Sequence, residues 1–237
     1  LNVEIRYNCR VASLMADEGR CEGVTTEAGE KLFADAVILA TGGASYPSTG
    51  STGDGWALLA RLGHTVYPAL PSLAGLTSPA DWVRALQGLS LKNVTLTLSQ
   101  GKKKLYSDLG EMLFTHLGVS GPLALSASAY LTEWAPEDVR LTLDLKPGLS
   151  RQQLDARIQR DVAAAPKKRI GSVLCGLFPS RLADTMARLC GLDTGKPAGT
   201  LTREERLRLV ETTKALVLPI SGVCSLEEAI VTRGGVS

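Results

Sequence analysis

A chain of 237 residues with 44% hydrophobic and 21% charged residues has an ordinary globular balance, with length for one large core or a few small ones. Its formal net charge of +2 excludes a strongly basic nucleic-acid or membrane-surface binder, and no apolar run approaches the ~20 residues that span a bilayer. The opening Leu1-Asn2-Val3-Glu4-Ile5-Arg6 alternates like a strand and lacks the apolar core of a signal peptide.

Residues Asn2 to Leu39 read as short strands. Val3, Ile5 and Tyr7 alternate, Val11 to Leu14 and Gly23 to Thr26 follow, and a buried strand is expected over Asp35 to Leu39. That strand runs into Ala40-Thr41-Gly42-Gly43-Ala44-Ser45-Tyr46-Pro47, where glycines let backbone approach a ligand closely. Ser51-Thr52-Gly53-Asp54-Gly55 then opens a helix. Trp56, Leu59 and Ala60 share one of its faces and Gly63 stops it. Strand, glycine loop and helix in that order suit a phosphate at the helix start. On the residues alone, a nucleotide site and a plain tight turn stand about even.

Pro68, Pro71 and Pro79 mark a change of domain. Asn93 to Leu98 alternates, Gln100-Gly101 turns the chain into Lys102 to Tyr106, and a further strand is expected around Met112 to Thr115. Ser120-Gly121-Pro122 starts a helix with proline in its first turn, and Arg140 to Lys146 alternates again up to Pro147-Gly148. These strands fit a small barrel. From Ser150 the period becomes helical. Ser150 and Gln153 form a capping box ahead of Leu154, Ile158 and Val162, and Ser180 is placed to cap Leu182 to Leu189, with Gly191 as its stop. Thr202 and Glu205 form a second box for a helix through Lys214, and strands return at Ala215 to Ile220 and Glu228 to Thr232.

Cys9, Cys21, Cys175, Cys190 and Cys224 form no close pair and, odd in number and scattered, read as the reduced thiols of a cytoplasmic protein and not as a disulfide frame. With His64 and His116 far apart, no metal site is expected. His116 stands between an apolar strand and a helix start. It reads as a structural histidine at that corner, with acid–base work or a hydrogen bond to a cofactor as the alternatives. Lys102-Lys103-Lys104 reads as a solvated hairpin, because no aromatic platform accompanies it. Thr232-Arg233-Gly234-Gly235-Val236 is a second glycine pair, by itself most simply a turn.

Taken together, the stretch 40–55, the segment Phe114-Thr115-His116 with Gly118 and Ser120-Gly121-Pro122, and Val231-Thr232 with Gly234-Gly235-Val236 resemble the bacterial aminoacetone oxidase family of NAD(P)/FAD-dependent oxidoreductases. The resemblance implies an α+β fold: a partial Rossmann-like FAD domain over 1–65 and 232–237, an inserted small β-barrel over 66–148 and 215–231, and a helical insert over 149–214. Carried onto the matching motifs, Ala40, Thr41, Gly42 and Gly43 lie along the FAD, and Thr232, Gly234 and Gly235 near the flavin ring. The insert covers the flavin and shapes the pocket for a small-molecule substrate, with NAD(P)H as a candidate electron donor and no nucleic-acid or membrane partner. No catalytic acid or base is named, and the oligomeric state is left open. The family's Gly-x-Gly-x-x-Gly opening and its Gly-Leu-Tyr-Phe-Ala-Gly-Glu-like closing segment are both missing. The chain therefore reads as an internal portion of the enzyme that binds little FAD by itself. The competing reading is a non-catalytic barrel-and-helix module that binds a partner protein.

Overall fold

The computed structural model describes residues 3–131 and 139–237. Leu1 and Asn2, within the expected first strand, and residues 132–138, within the expected barrel, lie outside the described residues. The chain forms two compact units, residues 1–72 with 225–237, and residues 73–224.

The first unit begins with an antiparallel meander of β1 (Val11–Asp17), β2 (Arg20–Thr26) and β3 (Lys31–Phe33). Glu18 and Gly19, both at positive φ, make the two-residue hairpin turn whose twist matches the flanking strands. Helix α1 (Asp54–Arg61) follows the glycine loop, and Gly63 lies just beyond it in the left-handed region. The face of α1 that is buried centres on Gly55 and Leu58, with Ala60 exposed; the expected face was rotated by part of a turn. Strand β4 (Val66–Ser72) pairs antiparallel with β12 (Val231–Val236) in a two-stranded sheet. Each strand of such a sheet has one free edge, so Pro68 and Pro71 are tolerated in β4.

Two expected strands are absent from this unit. Val3, Ile5 and Tyr7 are exposed and unladdered, and Ala36–Leu39 form no strand, with Ile38 93% exposed. A buried strand needs a ladder partner and cover on both faces, and the described residues give Ala36–Leu39 neither. The strand expected from Glu228 starts only at Val231, after a single 3₁₀ turn at Leu226–Glu228.

The second unit carries a seven-stranded antiparallel sheet. In chain order its strands are β5 (Leu76–Thr77), β6 (Ser90–Gln100), β7 (Lys103–Phe114), β8 (Gly118–Ser120), β9 (Val139–Asp144), β10 (Leu216–Leu218) and β11 (Gly222–Val223). Their order across the sheet is β10-β9-β6-β7-β8-β5-β11. The two strands expected over Lys102–Tyr106 and Met112–Thr115 are one, because β7 pairs with β6 along nearly its whole length. The register shift between Leu91 and Val94 coincides with Asn93, which has positive φ. Short helices α2 (Asp81–Ala85) and α3 (Pro122–Ser128) pack with the strands.

Residues 151–214 hold α4 (Arg151–Ala164), α5 (Ile170–Leu174), α6 (Ser180–Leu189) and α7 (Arg203–Lys214). Both capping boxes form: the Gln153 amide donates to Ser150 Oγ at 3.2 Å and the Glu205 amide to Thr202 Oγ1 at 3.2 Å. Ser180 does not cap α6. It is the first helical residue and Pro179 takes the cap position, its fixed φ serving as well before a helix as inside one. Leu154, Ile158, Leu182, Met186 and Leu209 join Leu96, Leu98, Phe114, Leu141 and Leu143 in one apolar core. No helix among the described residues is long and apolar enough to cross a membrane.

Candidate functional site

The first and last glycine motifs, 187 residues apart in sequence, meet at the side chain of Thr232. Strand β12 places Thr232 opposite Pro71 of β4 and beneath the loop 43–45. The amides of Ala44 and Ser45 donate to Thr232 Oγ1 at 2.9 and 3.0 Å, and Ser45 Oγ lies 2.7 Å from the same oxygen. A hydroxyl oxygen has two lone pairs, and both are taken by these amides. The Thr232 proton is therefore donated to Ser45 Oγ. The loop closes on itself as well, the Gly53 amide donating to the Gly43 carbonyl at 3.0 Å.

The glycines are required for two different reasons. Gly42 has φ +75, a conformation that side-chain-bearing residues seldom adopt. Gly43 is fixed by packing: a Cβ there would stand 2.6 Å from Thr232 Oγ1. The same holds at Gly55, where a Cβ would meet Thr41 Oγ1, and at Gly234, where it would meet the Pro68 carbonyl. Gly235 lies against the Trp56 indole, 3.2 Å from where a Cβ would be to Nε1. Gly234 and Gly235 also have positive φ and coincide with a register shift in the β4–β12 pairing.

Of the residues expected to bind the cofactor, Ala40, Thr41, Gly42 and Gly234 are exposed, Gly43 and Thr232 are half-buried and Gly235 is buried. Among the described residues the amides of Thr41, Gly42 and Gly43 have no hydrogen-bond acceptor. This exposed backbone with free donors fits an anionic or acceptor-rich ligand such as the phosphates of a dinucleotide. At Gly42, Gly43, Gly234 and Gly235 the protein's own atoms occupy the space that a side chain would need, Ser51 Oγ standing 2.8 Å from a Cβ at Gly42. The fit to FAD is thus carried by the free amides of Thr41–Gly43 and not by space left beside the glycines. Beside β12 a cleft of about 370 Å³ is lined by Tyr67, Pro68, Leu70 and residues 233–237.

At the start of α1, Asp54 pairs with Arg10 at 2.7 Å. The Thr52 hydrogen bond, then Arg10, hold its carboxyl below the usual carboxylate range. An acid held ionised in the first turn favours the helix but competes with an anion for the same helix end.

His64 and His116 are exposed. His116 sits in the turn between β7 and β8, where the Gly118 amide donates to Thr115 Oγ1 and the Thr115 amide to the Gly118 carbonyl. No disulfide joins any of the five cysteines, and among the described residues no group of three His, Cys, Asp or Glu is placed to hold a metal ion. Sequence reading missed Ser45 and Trp56 as site residues. Ser45 has no partner in its own stretch of sequence to mark it, and the helical spacing of Trp56 shows only that it lies on a face of α1.

The HI0933-like protein barrel and H2TH domain matches residues 70–231. The chain is 28% identical over 210 residues, 88% of its length and 51% of the relative's, to a 3-dehydro-bile acid delta(4,6)-reductase of Clostridium scindens. It is 30% identical over 202 residues, 84% of its length and 47% of the relative's, to a ribosomal RNA dihydrouridine synthase of Haemophilus influenzae. The Escherichia coli protein of that name is 26% identical over 236 residues, 99% of the chain and 56% of the relative. The chain thus spans about half the length of the curated relatives it matches. These names agree with the oxidoreductase-related family expected from the sequence and do not single out aminoacetone oxidases within it.

Proposed function

This chain belongs to the HI0933-like family with a barrel and H2TH domain, and from that membership we propose that it forms the central part of a cytoplasmic FAD-dependent oxidoreductase. The observation that carries the reading is the junction of the two glycine motifs at Thr232, beside which the amides of exposed Thr41 and Gly42 and of half-buried Gly43 have no acceptor among the described residues. In this reading 1–72 with 225–237 is part of a Rossmann-like cofactor domain, and the barrel and helices shape the substrate surface. Bound FAD supplies the hydride-transfer chemistry, with NAD(P)H as the electron donor. The amides of Thr41, Gly42 and Gly43 offer the flavin dinucleotide hydrogen-bond donors, and Gly234 and Gly235 keep β12 close to β4 and α1. The substrate class we assign is a small molecule with a carbon–carbon double bond conjugated to a carbonyl. That is the feature shared by a 3-keto-delta(4,6) steroid and a uracil ring.

The test is to purify the protein from its complete coding sequence, record its visible spectrum, and identify the released chromophore by chromatography. Stoichiometric FAD that is bleached by NAD(P)H and restored by an unsaturated ketone supports the proposal. A colourless protein that takes up no flavin from excess FAD overturns it.

One observation favours an RNA substrate as the second reading. Residues 73–224 carry 20 basic and 14 acidic side chains, a net charge of +6, against 6 and 10, or −4, in the rest. The overall charge hides this split. Two basic runs, Lys102-Lys103-Lys104 and Lys167-Lys168-Arg169, make no ion pair among the described residues. Salt-sensitive binding of an RNA oligonucleotide, lost when both runs are changed to glutamine, separates this reading from the small-molecule one.

A further inference from the structure

We propose that Thr232 is a positioning residue and not a ligand contact, and that the Ser45 hydroxyl is the donor it sets for a bound acceptor. This rests on the cofactor reading above for the identity of the ligand, but not for the latch itself.

The argument is one of satisfied valences. Thr232 Oγ1 accepts from the amides of Ala44 and Ser45 and gives its proton to Ser45 Oγ, so its hydroxyl has nothing left to offer a ligand. Ser45 Oγ, accepting from Thr232, keeps its own proton, for which the described residues supply no acceptor. Ser45 is 8% exposed, so this spare donor is shielded from bulk water, where a hydrogen bond to a ligand counts for most. Gly43 completes the latch: any side chain there would displace the threonine hydroxyl. Thr232 comes from the far end of the chain, so the loop has its working shape only when β12 is paired with β4.

Three variants of the protein made from its complete coding sequence test this: Thr232→Val, which keeps the shape and removes the hydroxyl, Thr232→Ser, which keeps the hydroxyl, and Ser45→Ala. Hydrogen exchange read by NMR at the Ala44 and Ser45 amides reports the latch directly. Thr232→Val is expected to speed exchange at both amides at least ~10-fold and Thr232→Ser to restore protection. FAD affinity, read by flavin fluorescence quenching, is expected to fall about tenfold in Thr232→Val and to return in Thr232→Ser. Ser45→Ala is expected to weaken FAD severalfold while the Ala44 amide stays protected. Unchanged exchange in Thr232→Val, or equal loss in Thr232→Val and Thr232→Ser, overturns the latch. Unchanged affinity in Ser45→Ala overturns the donor role. If the parent protein binds no FAD, the cofactor reading fails, yet the exchange experiment still decides whether Thr232 positions the loop.

Discussion

In residues 73–224, Leu96, Leu98, Phe114, Leu141 and Leu143 have no solvent exposure and belong to one core that runs from the sheet through the helices. In 1–72 with 225–237, Leu58 and Ala229 are the buried apolar side chains among the described residues, while Ile5, Tyr7, Phe33, Ile38 and Tyr67 stand more than half exposed. The second unit is specified by apolar volume. The first is specified by glycines with no room for a side chain and by a hydroxyl that gathers three partners. One region should therefore suffer from lost volume and the other from added volume.

The largest expected effect is in the core. Phe114→Ala should cost ~3–5 kcal/mol in urea unfolding, because the surrounding sheet and helices cannot collapse onto the cavity. A cost under about 1 kcal/mol would break the contrast. Next is the opposite change in the first unit: Gly43→Val should cost ~1–3 kcal/mol by overpacking against Thr232, with flavin retention lost alongside. A fully stable variant that retains flavin would show that the loop has slack.

Thr202→Ala removes the cap of α7 and should cost about 1 kcal/mol, measured by thermal unfolding. The pH dependence of the same corner sharpens this. Lys196, and then the Thr202 amide, hold the Glu205 carboxyl below the usual glutamate value. A carboxyl lowered in the folded state stabilises the protein above its unfolded value, and that contribution is lost as the pH falls through the folded one. Glu205→Gln should therefore flatten the acid limb of the stability curve below about pH 4.5. An unchanged acid limb would remove Glu205 from the account. The smallest effect belongs to Ile38→Asn, expected within about 0.5 kcal/mol because the side chain is almost wholly solvated. A larger loss would mean that the first unit has apolar contacts the described structure does not show.

Patterns that depend on near neighbours in sequence were legible. The capping boxes at Ser150 and Thr202, the alternation of β6 and β9 and the stop of α1 at Gly63 are each set by a few residues. The failures at Val3–Tyr7 and Ala36–Leu39 share one cause. Alternating or continuous apolar residues state a preference for burial, but a strand exists only where another strand pairs with it.

The sequence by itself determined where α4 and α7 begin, which faces of β6 and β9 turn to the second unit's core, and that two glycine motifs flank a barrel-and-helix segment. Tertiary structure alone decided that Thr232 reaches back to Ala44 and Ser45, that β4 pairs with β12, and that Gly43, Gly234 and Gly235 are small because the protein's own atoms fill the space beside them. Local propensity is written in consecutive residues. A hydrogen bond across 187 residues depends on the path of everything between them, and no spacing rule in the sequence carries it.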